Sequence, residues 1–258
     1  MKINILYEDP NLLAIDKPSG ILTHPDGRKD PSTSLRARKT ILDLFIKKYP
    51  KIELVHRLDK ETSGVMLLAK NSKAHEALKK QFSAPAHGLK TKSGLADRQD
   101  RIKKIYVAIV DGVVKNDRGT INKPIGRSPR DFRRWLAGRG ARGELREAVT
   151  EYKVLKRLTL PINPSLIKEG KSSPDKGRKE GFTFLEVRPK TGRTHQIRVH
   201  MKYLNHPVAC DSLYNPGKPC PKGFKRLALH ALSIEFKDLK DKTIKVESPL
   251  PKEFKKLI

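Results

Sequence analysis

The chain has 258 residues, 36% of them hydrophobic, and its 56 lysines and arginines against 28 aspartates and glutamates give a formal net charge of +28. This length allows one large domain or two small ones with a substantial core. The charge favours a polyanionic partner, because such an excess causes strong self-repulsion. Nucleic acid fits best, since basic side chains on phosphates release counterions. A membrane surface is the alternative, but no basic amphipathic helix with an aromatic face supports it.

The first elements are predicted strands and one helix. Apolar residues over 3–7 and 11–16 predict a hairpin that closes at the turn "DKPSG". Apolar residues at helical spacing predict a helix over 33–48. Residues 51–58 and 65–69 are predicted to be strands that flank the polar stretch "VHRLDKETSG".

A short helix and a long strand follow. The helix begins at Ser72, with Ala74, Leu78 and Phe82 on one face. The segment "KKIYVAIVDG" alternates as a strand that places Tyr106 on the face opposite Ile105.

Three polar, basic regions interrupt this pattern. Residues from about 83–101 and 159–180 are rich in Gly, Pro and Ser, which predicts basic loop insertions. The region 126–146 places Phe132 and Trp135 among arginines. Such a region can stack on unpaired bases, or it can be a solvated loop that covers one aromatic side chain.

The last third contains two more strands and a helix. Residues 182–187 alternate as a strand, and "RLALHALSIEF" is a further strand-like segment. Thr194 is predicted to cap a helix whose buried stripe is Ile197, Met201 and Leu204. Strands mixed with few helices predict an α+β fold with a largely antiparallel sheet, flanking helices and a single domain over 1–258.

Cysteines and apolar runs restrict the compartment. Cys210 and Cys220 are too few for a disulfide framework, and His206 alone near them does not complete a metal site, so we expect no metal. The N-terminus has no apolar core of signal-peptide length, and no apolar run is long enough to span a bilayer. We therefore expect a cytoplasmic protein.

Three ionisable or aromatic residues are candidates for chemistry: Asp59 in "HRLDKETSG", Tyr106 in "KIYVA" and Arg198 in "GRTHQIRVH". Each has a structural explanation when it is considered alone. Asp59 could close a turn, Tyr106 could be a half-buried strand aromatic, and Arg198 could pair with a surface carboxylate. Only a match of all three to one constellation would favour catalysis.

These motifs resemble those of the RluA-type pseudouridine synthases, which isomerise uridine in RNA. "LLAIDKPSGILTHP", "HRLDKETSG", "KIYVAIVDG", "GRTHQIRVH" and "LHALSIEF" occur in the family's order over most of the chain. The sequence departs from the family at Ala209-Cys210, where the family has a glycine before the aspartate of "HPVACDSLY". The insertion at 83–101 also separates Tyr106 from its preceding helix by more than usual.

The resemblance implies a pseudouridine synthase fold with a central catalytic cleft, and it implies roles for three residues. Asp59 acts at the glycosidic bond of a flipped-out uridine, and Arg198 stabilises its charge. Tyr106 places its ring against the uracil and its hydroxyl near the C5 proton. The reaction exchanges a C–N bond for a C–C bond without redox change or phosphate transfer, so we expect no cofactor.

The resemblance and the reach of side chains also imply RNA contacts. Arg57 is placed to fill the space that the flipped nucleotide vacates or to grip a phosphate. Arg193, His195 and Gln196 are placed at a helix start, where they can hold the RNA backbone. The expected partner is ribosomal RNA or tRNA, with no membrane and no obligate protein partner, and the expected state is a monomer.

Two other functions remain to be compared. "HRLD" is close to the H-R-D of a protein kinase, but the order differs and no glycine-rich loop accompanies it. A non-catalytic RNA-binding or ribosome-assembly protein on the same fold is the stronger alternative, although such a protein has no need for Asp59, Tyr106 and Arg198 together. The first catalytic motif lies within the first twenty residues, so we expect no preceding S4-type RNA-binding module.

Overall fold

The computed structural model describes residues 3–24, 39–83, 101–138, 140–159 and 181–257. The strands are β1 Ile5–Glu8, β2 Leu12–Lys17, β3 Glu53–Leu54, β4 Ser63–Ala69, β5 Lys103–Asp111, β6 Arg118–Asn122, β7 Ile125–Arg127, β8 Trp135–Ala137, β9 Arg142–Arg146, β10 Val149–Thr159, β11 Gly181–Pro189, β12 Leu229–Lys237 and β13 Thr243–Glu247. The helices are α1 Ile41–Phe45, α2 Ser72–Ser83, α3 Gln196–Tyr203 and α4 Lys252–Lys255.

One large sheet organises the molecule. Its strands follow the order β1-β2-β4-β12-β5-β11-β10-β6, with β13 on β12 and β3 on β4. Within the described ranges, every strand pairing in this sheet is antiparallel except that of β12 with β4. Two apolar clusters pack against it, one around β2 and β4 and the other around β5, β11 and α3. The predicted α+β class with a largely antiparallel sheet is confirmed.

The predicted hairpin at the N-terminus is formed by β1 and β2. The Asp9 side chain accepts hydrogen bonds from the backbone N–H groups of Asn11 and Leu12, both at 2.7 Å, and so closes the turn. The predicted strand at 65–69, the helix from Ser72 and the strand "KKIYVAIVDG" are also present as β4, α2 and β5. Alternation and helical spacing were therefore sufficient for these elements.

The predicted helix over 33–48 is much shorter than expected. Residues 33–38 lie outside the described residues, and α1 begins only at Ile41 and ends at Phe45. Thr40 caps it: its hydroxyl accepts from the N–H of Asp43, and the Asp43 carboxylate accepts from the N–H of Thr40. This capping box fixes the start of the helix, which the apolar spacing did not reveal.

The predicted strand over 51–58 is confirmed only at Glu53 and Leu54 and is wrong elsewhere. β3 pairs with β4 only at Glu53 and Leu54, although the same register would bring Val55 opposite Leu67. There, the N–H of Leu67 donates instead to Nε2 of His56 at 2.9 Å. A side chain has replaced a backbone acceptor, so the chain can leave the sheet without an unsatisfied amide.

The basic region 126–146 is a sheet and not a loop. Strands β7, β8 and β9 form a separate three-stranded sheet, here called the basic sheet, with β7 at its centre. The Arg127 guanidinium lies over the Trp135 ring, 4.6 Å from its centre, while Phe132 is 70% exposed. The two predicted insertions at 83–101 and 159–180 fall mostly outside the described residues, at 84–100 and 160–180.

Cys210 and Cys220 are joined by a disulfide, which the sequence analysis did not predict. Cys210 has a φ of 58°, so the position where the family resemblance implies glycine does adopt the left-handed backbone. Among the described residues, no group of three or more His, Cys, Asp or Glu could hold a metal ion. In the same ranges, no helix is both long and apolar enough to cross a bilayer.

Candidate active site

Asp59 lies in the loop between β3 and β4, and three anchors hold that loop. The Thr23 hydroxyl donates to the carbonyl of Leu58 at 2.8 Å. The N–H of Thr62 donates to the carbonyl of Asp59 at 3.1 Å, which closes a turn. Gly64, at the end of the motif, has a φ of 113°, and a Cβ there would collide with the backbone of Ala231 on β12. The motif therefore needs a glycine to enter the sheet directly after the loop.

Lys17 is a further anchor of this loop. Its side chain is fully buried, and Nζ donates to the carbonyls of Pro18, Lys60 and Thr62 at 2.8 to 3.0 Å. Desolvation lowers the pKa of Lys17 to about 8, although the nearby Asp59 carboxylate opposes the shift. The ammonium group thus joins the end of β2 to both sides of the Asp59 turn.

Arg198 connects Asp59 to a second carboxylate, Asp211. Nε and Nη2 of Arg198 donate to the two oxygens of Asp211 at 2.7 and 2.8 Å, and Nη1 donates to Oδ2 of Asp59 at 3.2 Å. Arg198 is only 6% exposed and Asp211 is 1% exposed. Oδ1 of Asp211 also accepts from the N–H groups of Leu213 and Tyr214. The fork of the guanidinium is therefore fixed before any substrate arrives.

The charges in this cluster support one another. Desolvation opposes the charge on Arg198, but the hydrogen bonds and charge of Asp211, together with the charge of Asp59, raise the pKa of Arg198 above its usual value. A pair of opposite charges about 4 Å apart gains roughly 4 kcal/mol at the dielectric typical of a protein surface. Arg198 consequently remains a cation and can stabilise an ionised Asp59.

Tyr106 lies in the middle of the sheet. On β5 it faces Val187 of β11 on one side and Ala231 of β12 on the other. Burial, and then the charge of Asp59, raise the pKa of Tyr106 far above its usual value, so the phenol is protonated at neutral pH. The pairing of β5 with β11 and β12 fixes the position of the Tyr106 backbone, so its ring forms a fixed part of the cavity wall.

All seven residues singled out from the sequence line one cavity of about 660 Å³. These are Arg57, Asp59, Tyr106, Arg193, His195, Gln196 and Arg198. The volume lies in the range typical of small-molecule sites. His56, Phe82, Arg101 and Lys104 form another part of the wall and add two further cations.

The helix that carries Arg198 does not begin as predicted. Thr194 is not its cap: α3 begins at Gln196, and His195 before it has a φ of 55° and makes no side-chain cap. The Gln196 side chain explains the difference, since its Oε1 accepts from the N–H of Arg193 and the hydroxyl of Thr191. This glutamine closes the turn that a capping threonine would have closed.

The four residues predicted to contact RNA differ in how many of their polar groups are already used in hydrogen bonds within the protein. Arg57 is exposed at the cavity. Arg193 uses Nε for the carbonyl of Glu147 at 2.9 Å, which leaves the rest of its guanidinium available. Gln196 is 4% exposed, and its amide nitrogen donates to β10. Its side chain is thus engaged within the protein, so it orders the turn that presents Arg193 and His195.

Asp211 and Tyr214 belong to the site but were not identified from the sequence. Tyr214 is 4% exposed, and its ring lies 5.1 Å from the Arg198 guanidinium carbon. Both residues belong to the stretch "HPVACDSLY", which had been noted only for its missing glycine. The available signal was the resemblance, which places an aspartate after a glycine position here, and an aspartate side chain can accept from the N–H groups of the residues that follow it.

The buried His56 in the cavity wall predicts a pH dependence of the protein's stability. Desolvation, and then the charge of Lys104, lower the pKa of His56 to about 3, while in the unfolded chain it titrates near 6.5. The unfolded state therefore binds the proton first as the pH falls, so this stability is present above about pH 6.5 and is lost toward pH 3. We expect His56→Gln, which keeps an acceptor for Leu67, to lose less stability than the wild type over that window. Urea unfolding at several pH values measures this difference, and parallel curves for the two proteins would contradict it.

Comparisons with known proteins agree with this geometry. A family model described as RNA pseudouridylate synthase matches residues 11–203. Ribosomal large subunit pseudouridine synthase D of Xanthomonas campestris is 34% identical, with 99% of this chain and 68% of that protein covered. The uncharacterized RNA pseudouridine synthase YlyB of Bacillus subtilis is also 34% identical, with 100% and 72% covered.

A solved structure supports the fold. Human RNA Pseudouridylate Synthase Domain Containing 1 superposes with a TM-score of 0.68 at 23% identity, and the match covers 97% of this chain and 84% of that chain. This likeness confirms the predicted pseudouridine synthase fold. The family model and the 34% identity to these two relatives confirm the predicted activity. The chain belongs to the RNA pseudouridylate synthase family, and it is an isomerase that converts uridine in RNA to pseudouridine.

Proposed function

We propose that Asp59 is the catalytic carboxylate of this enzyme. The observation that carries the proposal is the contact of Arg198 with Oδ2 of Asp59 in a cavity that Tyr106 also lines. Breaking the bond from C1′ to N1 develops positive charge on the sugar, which an anionic oxygen can stabilise or trap. Attack on C1′, removal of the 2′ proton and addition to the base are all open routes, and each uses an ionised Asp59.

Tyr106 is proposed to stack on the uracil. A uridine within a duplex cannot expose C1′ and both edges of its base, so it must be extruded at a cost of a few kcal/mol. A flat ring fixed between two neighbouring strands recovers part of that cost by stacking. Because the Tyr106 phenol is protonated, it can donate a hydrogen bond near C5, and it can accept the C5 proton only after losing its own.

Arg57 and Arg193 are proposed to bind the backbone of the RNA around the target. Both line the cavity, and in the described residues the guanidinium group of neither one forms an ion pair with a carboxylate. His195 and Gln196 contribute by holding the turn between Arg193 and α3. The net charge of +28 supports binding along a longer stretch of RNA than the cavity can hold.

Ribosomal RNA is the proposed substrate, and tRNA is the alternative. Support for ribosomal RNA comes from the relative named ribosomal large subunit pseudouridine synthase D, which is 34% identical to this chain. We also propose that residues 1–258 act as a single catalytic domain, as a monomer in the cytoplasm, without a cofactor. The absence of redox change or phosphate transfer from the reaction supports the last point.

Tritium release tests the substrate. RNA labelled at uracil C5 loses its label to water when the new C–C bond forms. We expect the protein to release tritium from large-subunit ribosomal RNA and not from tRNA under the same conditions. Release from tRNA alone would contradict the ribosomal assignment, and tight binding of both RNAs without release would favour the non-catalytic RNA-binding protein.

A further inference from the structure

Two hydrogen bonds lead from the basic sheet to His195, and the ring of His195 lies beside Asp59. The N–H of Trp135 on β8 donates to the Tyr214 hydroxyl oxygen at 2.9 Å. The same hydroxyl lies 2.9 Å from Nδ1 of His195. Nε2 of His195 lies 3.9 Å from Oδ2 of Asp59, the oxygen that Arg198 also contacts. Trp135 is therefore linked to His195 through the Tyr214 hydroxyl, and Nε2 of His195 is close to Asp59 without a hydrogen bond to it.

The directions of these hydrogen bonds determine which ring nitrogen of His195 carries the proton. A backbone N–H can only donate, so the Tyr214 oxygen accepts from Trp135 and its own proton remains to be placed. If the phenol donates to Nδ1 of His195, the phenol proton has an acceptor, and the imidazole proton is on Nε2, on the side of Asp59. The opposite arrangement would leave the phenol proton without an acceptor in the described residues and would direct a lone pair of Nε2 at a carboxylate. Buried groups avoid both outcomes.

The protonation states agree with this arrangement. Desolvation raises the pKa of the Tyr214 phenol, which stays protonated at neutral pH. Desolvation also lowers the pKa of His195, with Asp59 and Asp211 opposing and Arg198 and Arg57 reinforcing the shift. A neutral imidazole has one acceptor and one donor nitrogen, so a second hydrogen bond decides which nitrogen holds the proton.

Packing holds Trp135, Tyr214 and His195 in fixed positions. Tyr214 belongs to a small apolar cluster with Ile125, Ala148 and Val199, against which Trp135 packs. This cluster joins the basic sheet to α3, the helix that carries Arg198. His195 is held in a left-handed backbone at φ 55°, a conformation that costs energy for a residue with a side chain. Strain of this kind persists where surrounding contacts determine the position.

We propose that Trp135, Tyr214 and His195 form a network that positions the catalytic carboxylate. Tyr214 holds His195 as the tautomer with its proton on Nε2, which places this N–H 3.9 Å from Oδ2 of Asp59, the oxygen that Arg198 holds by a hydrogen bond. Within the described residues no hydrogen bond reaches Oδ1, so this oxygen is left to face the sugar. The proposal rests on the proposed role of Asp59 and adds a positioning role for Tyr214 and His195.

The first test is Tyr214→Phe, which removes the hydroxyl and keeps the ring against Arg198. We expect kcat for tritium release to fall about 10-fold, the loss of one useful hydrogen bond, with KM for RNA unchanged. Nitrogen NMR of His195 should change from the Nε2–H tautomer to a mixture. Tyr152→Phe is the matched control, because Tyr152 is also a buried tyrosine but, within the described residues, its hydroxyl makes no hydrogen bond to His195. It should leave both readouts unchanged.

A double-mutant cycle separates positioning from general structure. His195→Asn keeps a residue that tolerates positive φ, and we expect it to lower kcat to a similar extent. Because Tyr214 acts through His195, adding Tyr214→Phe should cause no further loss. Additive losses, or an unchanged tautomer in Tyr214→Phe, would overturn the proposal. The NMR readout does not depend on activity, so a failure of the Asp59 assignment would be recognised separately by full activity of Asp59→Asn.

Discussion

Replacing Asp59 by asparagine is expected to lower the rate of tritium release at least about 10⁴-fold, the scale seen when an essential catalytic group is removed. Asparagine keeps the size and one oxygen of the side chain but cannot carry the negative charge. It can therefore neither attack C1′, nor take the 2′ proton, nor stabilise a cationic sugar. The measurement is single-turnover release from RNA labelled at uracil C5.

RNA binding provides the internal control for this variant. Asp59→Asn removes a negative charge from a basic cavity, so the affinity for RNA should be unchanged or slightly higher, with a similar salt dependence. Asp241→Asn is the matched substitution: Asp241 is exposed, lies outside the cavity and has a φ of 60° that asparagine tolerates. It should behave as the wild type. Comparable release from Asp59→Asn and Asp241→Asn would remove Asp59 from the mechanism.

The sequence allowed the prediction of residues whose surroundings are local or belong to a shared motif. Alternation placed Tyr106 on one face of β5, and helical spacing placed Arg198 beside the buried stripe of α3. Neither pattern says that these elements meet. Their convergence on Asp59 followed from the resemblance to one family, and the structure brings all three to one cavity.

The features that were missed depend on single polar side-chain contacts, which the spacing of apolar residues does not reveal. The His56 imidazole takes the place of a strand acceptor opposite Leu67, which ends β3 early. Gln196 closes the turn assigned to Thr194. The Asp211 partner of Arg198 follows a left-handed cysteine, where apolar periodicity has no information. In each case a single polar contact overrides the pattern of the surrounding residues.

The basic sheet shows the same limit for a whole element. Its strands are three to five residues long and carry many arginines, so no alternation identifies them as strands. The basic sheet is held in place by the apolar cluster around Ile125 and by the hydrogen bond between Trp135 and Tyr214. Both are contacts with distant parts of the chain, which composition cannot predict.

The buried pair of Arg198 and Asp211 is expected to contribute both to stability and to catalysis, and two variants can separate these roles. Arg198→Met leaves the Asp211 carboxylate buried without its cation, which should lower the free energy of unfolding by about 3–5 kcal/mol. It should also abolish tritium release, because Asp59 loses its guanidinium partner. Arg188→Met is the control, since Arg188 pairs with Glu186 at an exposed position, where such pairs contribute about 0–1 kcal/mol.

The double variant Arg198→Met with Asp211→Asn decides between the two contributions. Asparagine removes the isolated charge and keeps an oxygen for the N–H groups of Leu213 and Tyr214, so most of the lost stability should return. Activity should remain absent, because Oδ2 of Asp59 still lacks the guanidinium that donates to it. Urea unfolding followed by circular dichroism and single-turnover tritium release measure the two effects. Recovery of activity together with stability would mean that Arg198 serves only the fold, and that Asp59 acts without a neighbouring guanidinium.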